Sequence, residues 1–183
     1  LVNNAKIMGI YTMPPNITKM NEEFKLIGKH PTYGITNVKG VGSSVFKKMK
    51  DDMERENIDP QNCDWDCFLL LVSPFVNKRA FDSFKIQRAE MQHQFNIIKE
   101  LSNREKDWVR NYKRSNMHAS TEEVLQEMID CSTVKDKKRP IFRKDRIPVV
   151  VDLVKSLSNP GYELYDSPSW LAKKENELLG ISL

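Results

Sequence analysis

The sequence predicts a mixed α/β domain, a three-layer sandwich with a mainly parallel central sheet and a helical insertion. Two observations carry that expectation. Short, mainly apolar runs, Cys67 to Val72 and Ile147-Pro-Val-Val-Val-Asp-Leu-Val154, suit strands covered on both faces. Between them lie longer stretches whose apolar residues recur at helical spacing, and helices alternating with apolar strands favour a layered α/β arrangement. Residues 1–183 read as a single domain with a helical and basic insertion at about 96–146. A chain of this size hides roughly two-thirds of its unfolded surface, so it needs no disulfide or metal staple.

Taken in order, Met13-Pro14-Pro15-Asn16 is a loop, since Pro15 forces its predecessor out of helical geometry, and His30-Pro31 is a second break. From Ser44 to about Arg55, Val45, Phe46, Met49 and Met53 recur at helical spacing, and Asp59-Pro60 ends that unit. After the first apolar run, Phe81, Phe84, Met91, Phe95, Ile98 and Leu101 mark a long amphipathic stripe that Trp108 and Tyr112 extend. Ser120 followed three residues later by Glu123 is a capping-box pattern, and the helix behind it buries Val124, Leu125, Met128 and Ile129. Ser167-Pro168 supplies an N-cap and first turn, Gly180 stands where a C-terminal cap belongs, and Trp170, Leu171 and Leu178 face the core.

Composition narrows the class. Twenty-nine basic residues against 25 acidic ones leave a net charge of +4, mildly basic and without the large excess of a dedicated DNA binder. The excess is concentrated: Lys135, Lys137, Lys138, Arg139, Arg143, Lys144 and Arg146 stand against Asp136 and Asp145. This segment is either a solvated loop or a patch for a polyanion or acidic partner. Three cysteines without framework spacing point to a reducing, intracellular setting, cytoplasmic or nuclear. The longest apolar run, Phe68 to Val72, is too short to cross a bilayer. The chain opens on Leu1-Val2-Asn3-Asn4 with no basic-then-apolar leader, so a targeting signal is absent or lies outside it.

Catalytic and metal constellations are incomplete. Hydrolysis through a nucleophile needs Ser or Cys beside a base held by a third group, and none of His30, His93 and His118 shares a nucleophile motif. Zinc sites want close pairs of Cys or His twice over; Cys63 and Cys67 lack a second pair, and Cys131 stands apart. The paired carboxylates Asp51-Asp52, Glu22-Glu23 and Glu122-Glu123 fit solvated helix faces. We therefore expect no catalytic residue, no metal and no cofactor.

One glycine pattern stands out. Ile35-Thr36-Asn37-Val38-Lys39-Gly40-Val41-Gly42-Ser43-Ser44-Val45-Phe46 is similar to the hairpin of helix-hairpin-helix DNA-binding motifs. In such motifs a Gly-apolar-Gly turn and the next helix N-terminus offer backbone N–H groups to a phosphate. Lys39, Lys47 and Lys48 add charge. Two features depart from the motif: Phe46 falls where a small residue packs, and Pro31 and Gly34 weaken any preceding helix. The other reading is a plain glycine-rich turn entering a helix.

A second resemblance spans more of the chain. Cys63-Asp64-Trp65-Asp66-Cys67-Phe68-Leu69-Leu70-Leu71-Val72-Ser73 resembles the caspase strand that ends in Ser-His-Gly. Leu1-Val2-Asn3-Asn4 resembles that family's opening strand, and Val45 to Met53 falls where a caspase helix lies. The likeness covers residues 1–75 and resumes at 146–158. It implies a pseudoenzyme, because Ser73-Pro74-Phe75 replaces the catalytic His and Val154-Lys155-Ser156-Leu157-Ser158 offers no Cys. Two functions follow. The first is a non-catalytic caspase-like domain regulating an unidentified protein partner. The alternative is a nucleic-acid-binding module using Lys39, Gly40, Gly42, Lys47, Lys48, Lys137, Lys138, Arg139, Arg143 and Lys144.

Overall fold

The computed structural model describes residues 7–72, 84, 86–133, 142, 145–161 and 164–183. Among them are seven α-helices and one β-hairpin. The hairpin strands β1 (Lys25–Ile27) and β2 (His30–Thr32) are antiparallel, with Lys25 opposite Thr32 and Ile27 opposite His30. Their two-residue connection turns at Gly28, whose φ of +63° suits the first position of such a loop. The helices are α1 (Ser43–Arg55), α2 (Trp65–Leu71), α3 (Arg88–Glu100), α4 (Asn103–Ser115), α5 (Thr121–Thr133), α6 (Arg146–Ser158) and α7 (Pro168–Leu179). Single 3₁₀ turns occur at Ile17–Lys19 and Ile35–Asn37. No helix among the described residues is long and apolar enough to cross a membrane.

The three-layer sandwich with a parallel sheet is therefore overturned, and both runs read as strands are helices. The first lies in α2, where Trp65, Cys67, Phe68, Leu69, Leu70 and Leu71 are all buried. A helix covered on every side carries no polar face, so its sequence is as uniformly apolar as that of a central strand. Its start is set by Asp64, whose carboxylate accepts from the Cys67 amide at 2.6 Å. The second run lies in α6, where Pro148 occupies the first turn, the place a helix tolerates it. Val150 is fully buried and Val154 nearly so, one turn apart, whereas Val149 between their faces is 43% exposed. A strand buried on both faces would have hidden Val149 as well. The expected sheet and its caspase-like strand order lose their frame here; Leu1 to Asn4 and Ser73 to Phe75, on which the resemblance also rests, lie outside the described residues.

The helical expectations stand closer to the structure. The stretch from Ser44 to Arg55 is α1. The long stripe divides: Phe81 lies outside the described residues, Phe84 precedes α3, α3 ends at Glu100 with Leu101 as its C-cap, and Ser102 opens α4 through a capping box with Glu105. The Ser120–Glu123 box is formed, with Glu123 accepting from the Ser120 amide at 2.7 Å and Ser120 accepting from the Glu123 amide at 3.2 Å. Val124, Leu125, Met128 and Ile129 behind it are buried. Ser167, Pro168 and Gly180 bound α7 as expected. Trp170, Leu171 and Leu178 are only half-buried.

Packing runs from α2 to α4, from α4 to α5, from α5 to α6 and from α6 back to α3. Two buried charges are built into this stack. Lys113 is fully buried and donates to the carbonyls of Met117 and Ala119 at 2.7 and 2.6 Å, closing the turn between α4 and α5. Glu105, 2% exposed, accepts from Nε and Nη2 of Arg146 at 3.1 and 2.8 Å and from the Ser102 amide at 2.7 Å. Burial pushes the Glu105 carboxyl up, but the Arg146 guanidinium and the Ser102 donors outweigh it and hold the group below its ordinary value.

Arg146→Ala leaves that carboxylate uncompensated and is expected to cost about 3 kcal/mol at neutral pH, measured by urea unfolding. The pH dependence follows from the depressed carboxyl. Its stabilisation is complete above the ordinary value of 4.5 and is lost as pH falls through the lower folded value. The gap between wild type and variant therefore narrows in acid. A gap that stays constant from neutral pH to below 4 would contradict this pairing.

Candidate nucleic-acid interface

The glycine pattern folds into a four-residue turn that opens directly into α1. The Val41 amide donates to the Val38 carbonyl at 2.9 Å, and Gly40, third in that turn, has φ +80°. A type II turn requires a positive φ at this position, which glycine takes without strain. Val38 and Val41 are buried and anchor the turn in the core, while Lys39, Gly40 and Gly42 are exposed. Gly42 is the N-cap of α1, and its carbonyl accepts from the Val45 and Phe46 amides, both at 3.0 Å.

Having no side chain, Gly42 cannot cap the first turn itself. The amides of Gly40, Gly42, Ser43 and Ser44 have no acceptor among the described residues. Backbone donors clustered at a helix start, with the positive end of its dipole behind them, suit an anion. Lys47 and Lys48 lie four residues beyond Ser43 and Ser44, so both stand exposed over that first turn. Lys39, Gly40, Gly42, Lys47 and Lys48 are thus brought together on one turn and the helix it begins.

The segment before the turn is braced by backbone. Ile35 and Thr36 donate their amides to the carbonyls of Asn21 and Glu22 at 2.8 and 3.0 Å. Gly34 is required by this close approach, since a Cβ there would lie 2.2 Å from the Glu22 carbonyl oxygen. The element preceding the hairpin is the single turn Ile35–Asn37 rather than a helix. Sequence reasoning missed three participants. Ser43 and Ser44 contribute amides, which the glycine pattern does not advertise, and the Lys39 amide donates to the Leu178 carbonyl at 2.8 Å. Nothing local to either segment signals that last contact.

Lys137, Lys138, Arg139, Arg143 and Lys144 lie outside the described residues, as do Lys135 and Pro74. Arg146, from the same basic segment, is engaged by Glu105. The histidines do not converge on a nucleophile: a ring nitrogen of buried His93 lies 2.8 Å from the Ser156 carbonyl, while His30 and His118 are exposed on separate segments. No group of three or more His, Cys, Asp or Glu among the described residues is placed to hold a metal ion. Burial pushes the Cys63 thiol up to about 12 and the Cys67 thiol to about 11.

No family model matches the chain, and no solved structure matches it. The chain is similar to DNA polymerase III subunit alpha of Thermus aquaticus, 30% identical over 82 residues. The matched stretch is 45% of this chain and spans 7% of that much longer protein.

The raised thiols yield a chemical expectation. Cys63 and Cys67 should react with iodoacetamide at pH 7.5 far more slowly than in denaturant, because the thiolate is the nucleophile. Peptide mapping of the alkylated protein checks it. Rapid labelling of Cys67 in the folded state would contradict its burial and its raised value.

Proposed function

We propose that this chain is a nucleic-acid-binding module whose contact point is the Gly40–Val41–Gly42 turn and the first turn of α1. The observation that carries the reading is the set of exposed backbone donors at Gly40, Gly42, Ser43 and Ser44, flanked by Lys39, Lys47 and Lys48. A phosphate seated there accepts from amides fixed in direction, while the lysines neutralise its charge. The partial similarity to a DNA polymerase subunit supports the same reading. Such contacts read the backbone and not the bases, so the module positions nucleic acid without choosing a sequence. Regulation of a protein partner by a caspase-like domain draws no support from helices α2 and α6, which occupy the segments its strands require.

The test is fluorescence anisotropy of a labelled DNA duplex and of its single strand, each titrated with the protein at several salt concentrations. Affinity should fall linearly with salt on logarithmic axes, with a slope of about 0.9 for every duplex phosphate neutralised. The double substitution Lys47→Ala, Lys48→Ala should lower that slope by about one to two contacts. Gly40→Val forces a β-branched residue to φ +80° and should weaken binding about tenfold, from roughly 1–2 kcal/mol of backbone strain. No binding of either DNA at low salt, or variants indistinguishable from wild type, would overturn the proposal.

A further inference from the structure

We infer that α7 is a docked strap that sets the phosphate-binding geometry of the Gly40–Gly42 turn, so that nucleic-acid affinity depends on whether α7 is in place. The inference rests on the reading of that turn as the nucleic-acid site. Its starting point is the Leu178 carbonyl, in the last turn of α7, where a helix leaves carbonyls without internal donors. The Lys39 amide supplies one at 2.8 Å. Lys39 directly precedes Gly40, so this bond anchors the Val38–Lys39 peptide, one residue before the positive-φ position.

Two further attachments hold the strap, both elsewhere. Before α7, the Asp166 carboxylate accepts from the Arg88 and Ala89 amides at 2.8 Å each and so caps α3. Along α7, Glu175 accepts from the Leu183 amide at 2.7 Å, closing the chain back over the helix, and lies 3.9 Å from the Arg88 guanidinium. The strap thus spans from the start of α3 to the Gly40–Gly42 turn. It does so with few apolar ties: no residue of α7 is fully buried, and only Leu178 and Leu179 of this helix pack against the core. Elements held by a few polar bonds and little burial open at low free-energy cost. Opening α7 frees the Lys39 amide and lets the turn leave the conformation that gathers its donors.

Linkage makes the coupling reciprocal: if docked α7 favours phosphate binding, phosphate binding favours docked α7. Hydrogen exchange on the full chain, with and without a saturating DNA duplex, reads this directly. Duplex should slow exchange of the α7 amides and of the Lys39 amide. Glu175→Ala and, separately, Gly180→Val, which strains a cap at φ +76°, should speed exchange in α7. Each should also weaken duplex binding about fivefold or more, the lower end of usual coupling between sites. The salt slope should stay at its wild-type value, since no lysine over the first turn of α1 is altered.

A variant with faster α7 exchange and wild-type affinity overturns the strap and leaves the proposed function standing. If neither variant loosens α7, the wild type decides: duplex that leaves exchange of α7 and Lys39 unchanged also overturns it. A wild type that binds no DNA overturns both readings.

Discussion

The architecture depends on hiding α2. From Trp65 to Val72 only Asp66 escapes burial, so the helix needs cover on every side and the others are arranged to give it. Cover of that kind brings polar backbone into the interior, where each group needs a partner. Asp66 accepts from the amide and hydroxyl of Thr121, the first residue of α5. The Cys67 thiol reaches the Met117 carbonyl at 3.4 Å, which also accepts from buried Lys113. The turn between α4 and α5 is thus held against α2 by hydrogen bonds at several points. The Lys113 charge is met by two carbonyls of the turn that follows its helix, and a cation is favoured at that end of the dipole.

The candidate site sits at the edge of this assembly and is held from two directions. At one end of α1, Phe46 and Met49 enter the core beside Val38, Val41 and Ile35. At the other, Glu56 caps the helix and accepts two hydrogen bonds from Arg114, both at 2.7 Å. The Arg114 guanidinium, working against burial, holds the Glu56 carboxyl below its ordinary value. This bidentate pair ties α1 to the end of α4, which packs on α2. A backbone-amide site needs such support. Its donors cannot change rotamer to find a ligand, so their accuracy is that of the helix carrying them.

Legibility in the sequence divided along a physical line. Features fixed by one or two neighbouring residues were readable: the α1 periodicity, the Ser120–Glu123 box, the Ser167 and Gly180 caps, and the demand for glycine at position 40. Features fixed by what lies on the far side of an element were not. An aliphatic run covered all round looks the same as helix or strand, and the Cys67–Val72 run was too short for its length to decide. Asp64, a good N-cap residue just before Trp65, was the local signal that favoured helix, and Pro148 in a first turn was a weaker one. Among the site residues, glycines and lysines were visible because their chemistry is in their side chains or in the lack of one. The Leu178 carbonyl was not, since every residue has one and only the fold brings it to Lys39.

The two departures from the helix-hairpin-helix pattern explain each other. In that pattern a small residue after the hairpin lets the second helix approach the first closely. Here the preceding element is the single turn Ile35–Asn37, and Ile35 and its C-cap Val38 are buried in the same core cluster as Phe46, which is 3% exposed. A small residue at that position would leave a cavity, and the turn would lose the packing that holds Val41 and the Gly40 conformation. The large ring does for this hairpin what a companion helix does for the usual one. The outer surface of the turn is a separate matter: Phe46 is buried, whereas Gly40, Gly42, Ser43 and Ser44 are exposed. Phosphate recognition asks only for that outer side, so the same turn can be carried on a different support.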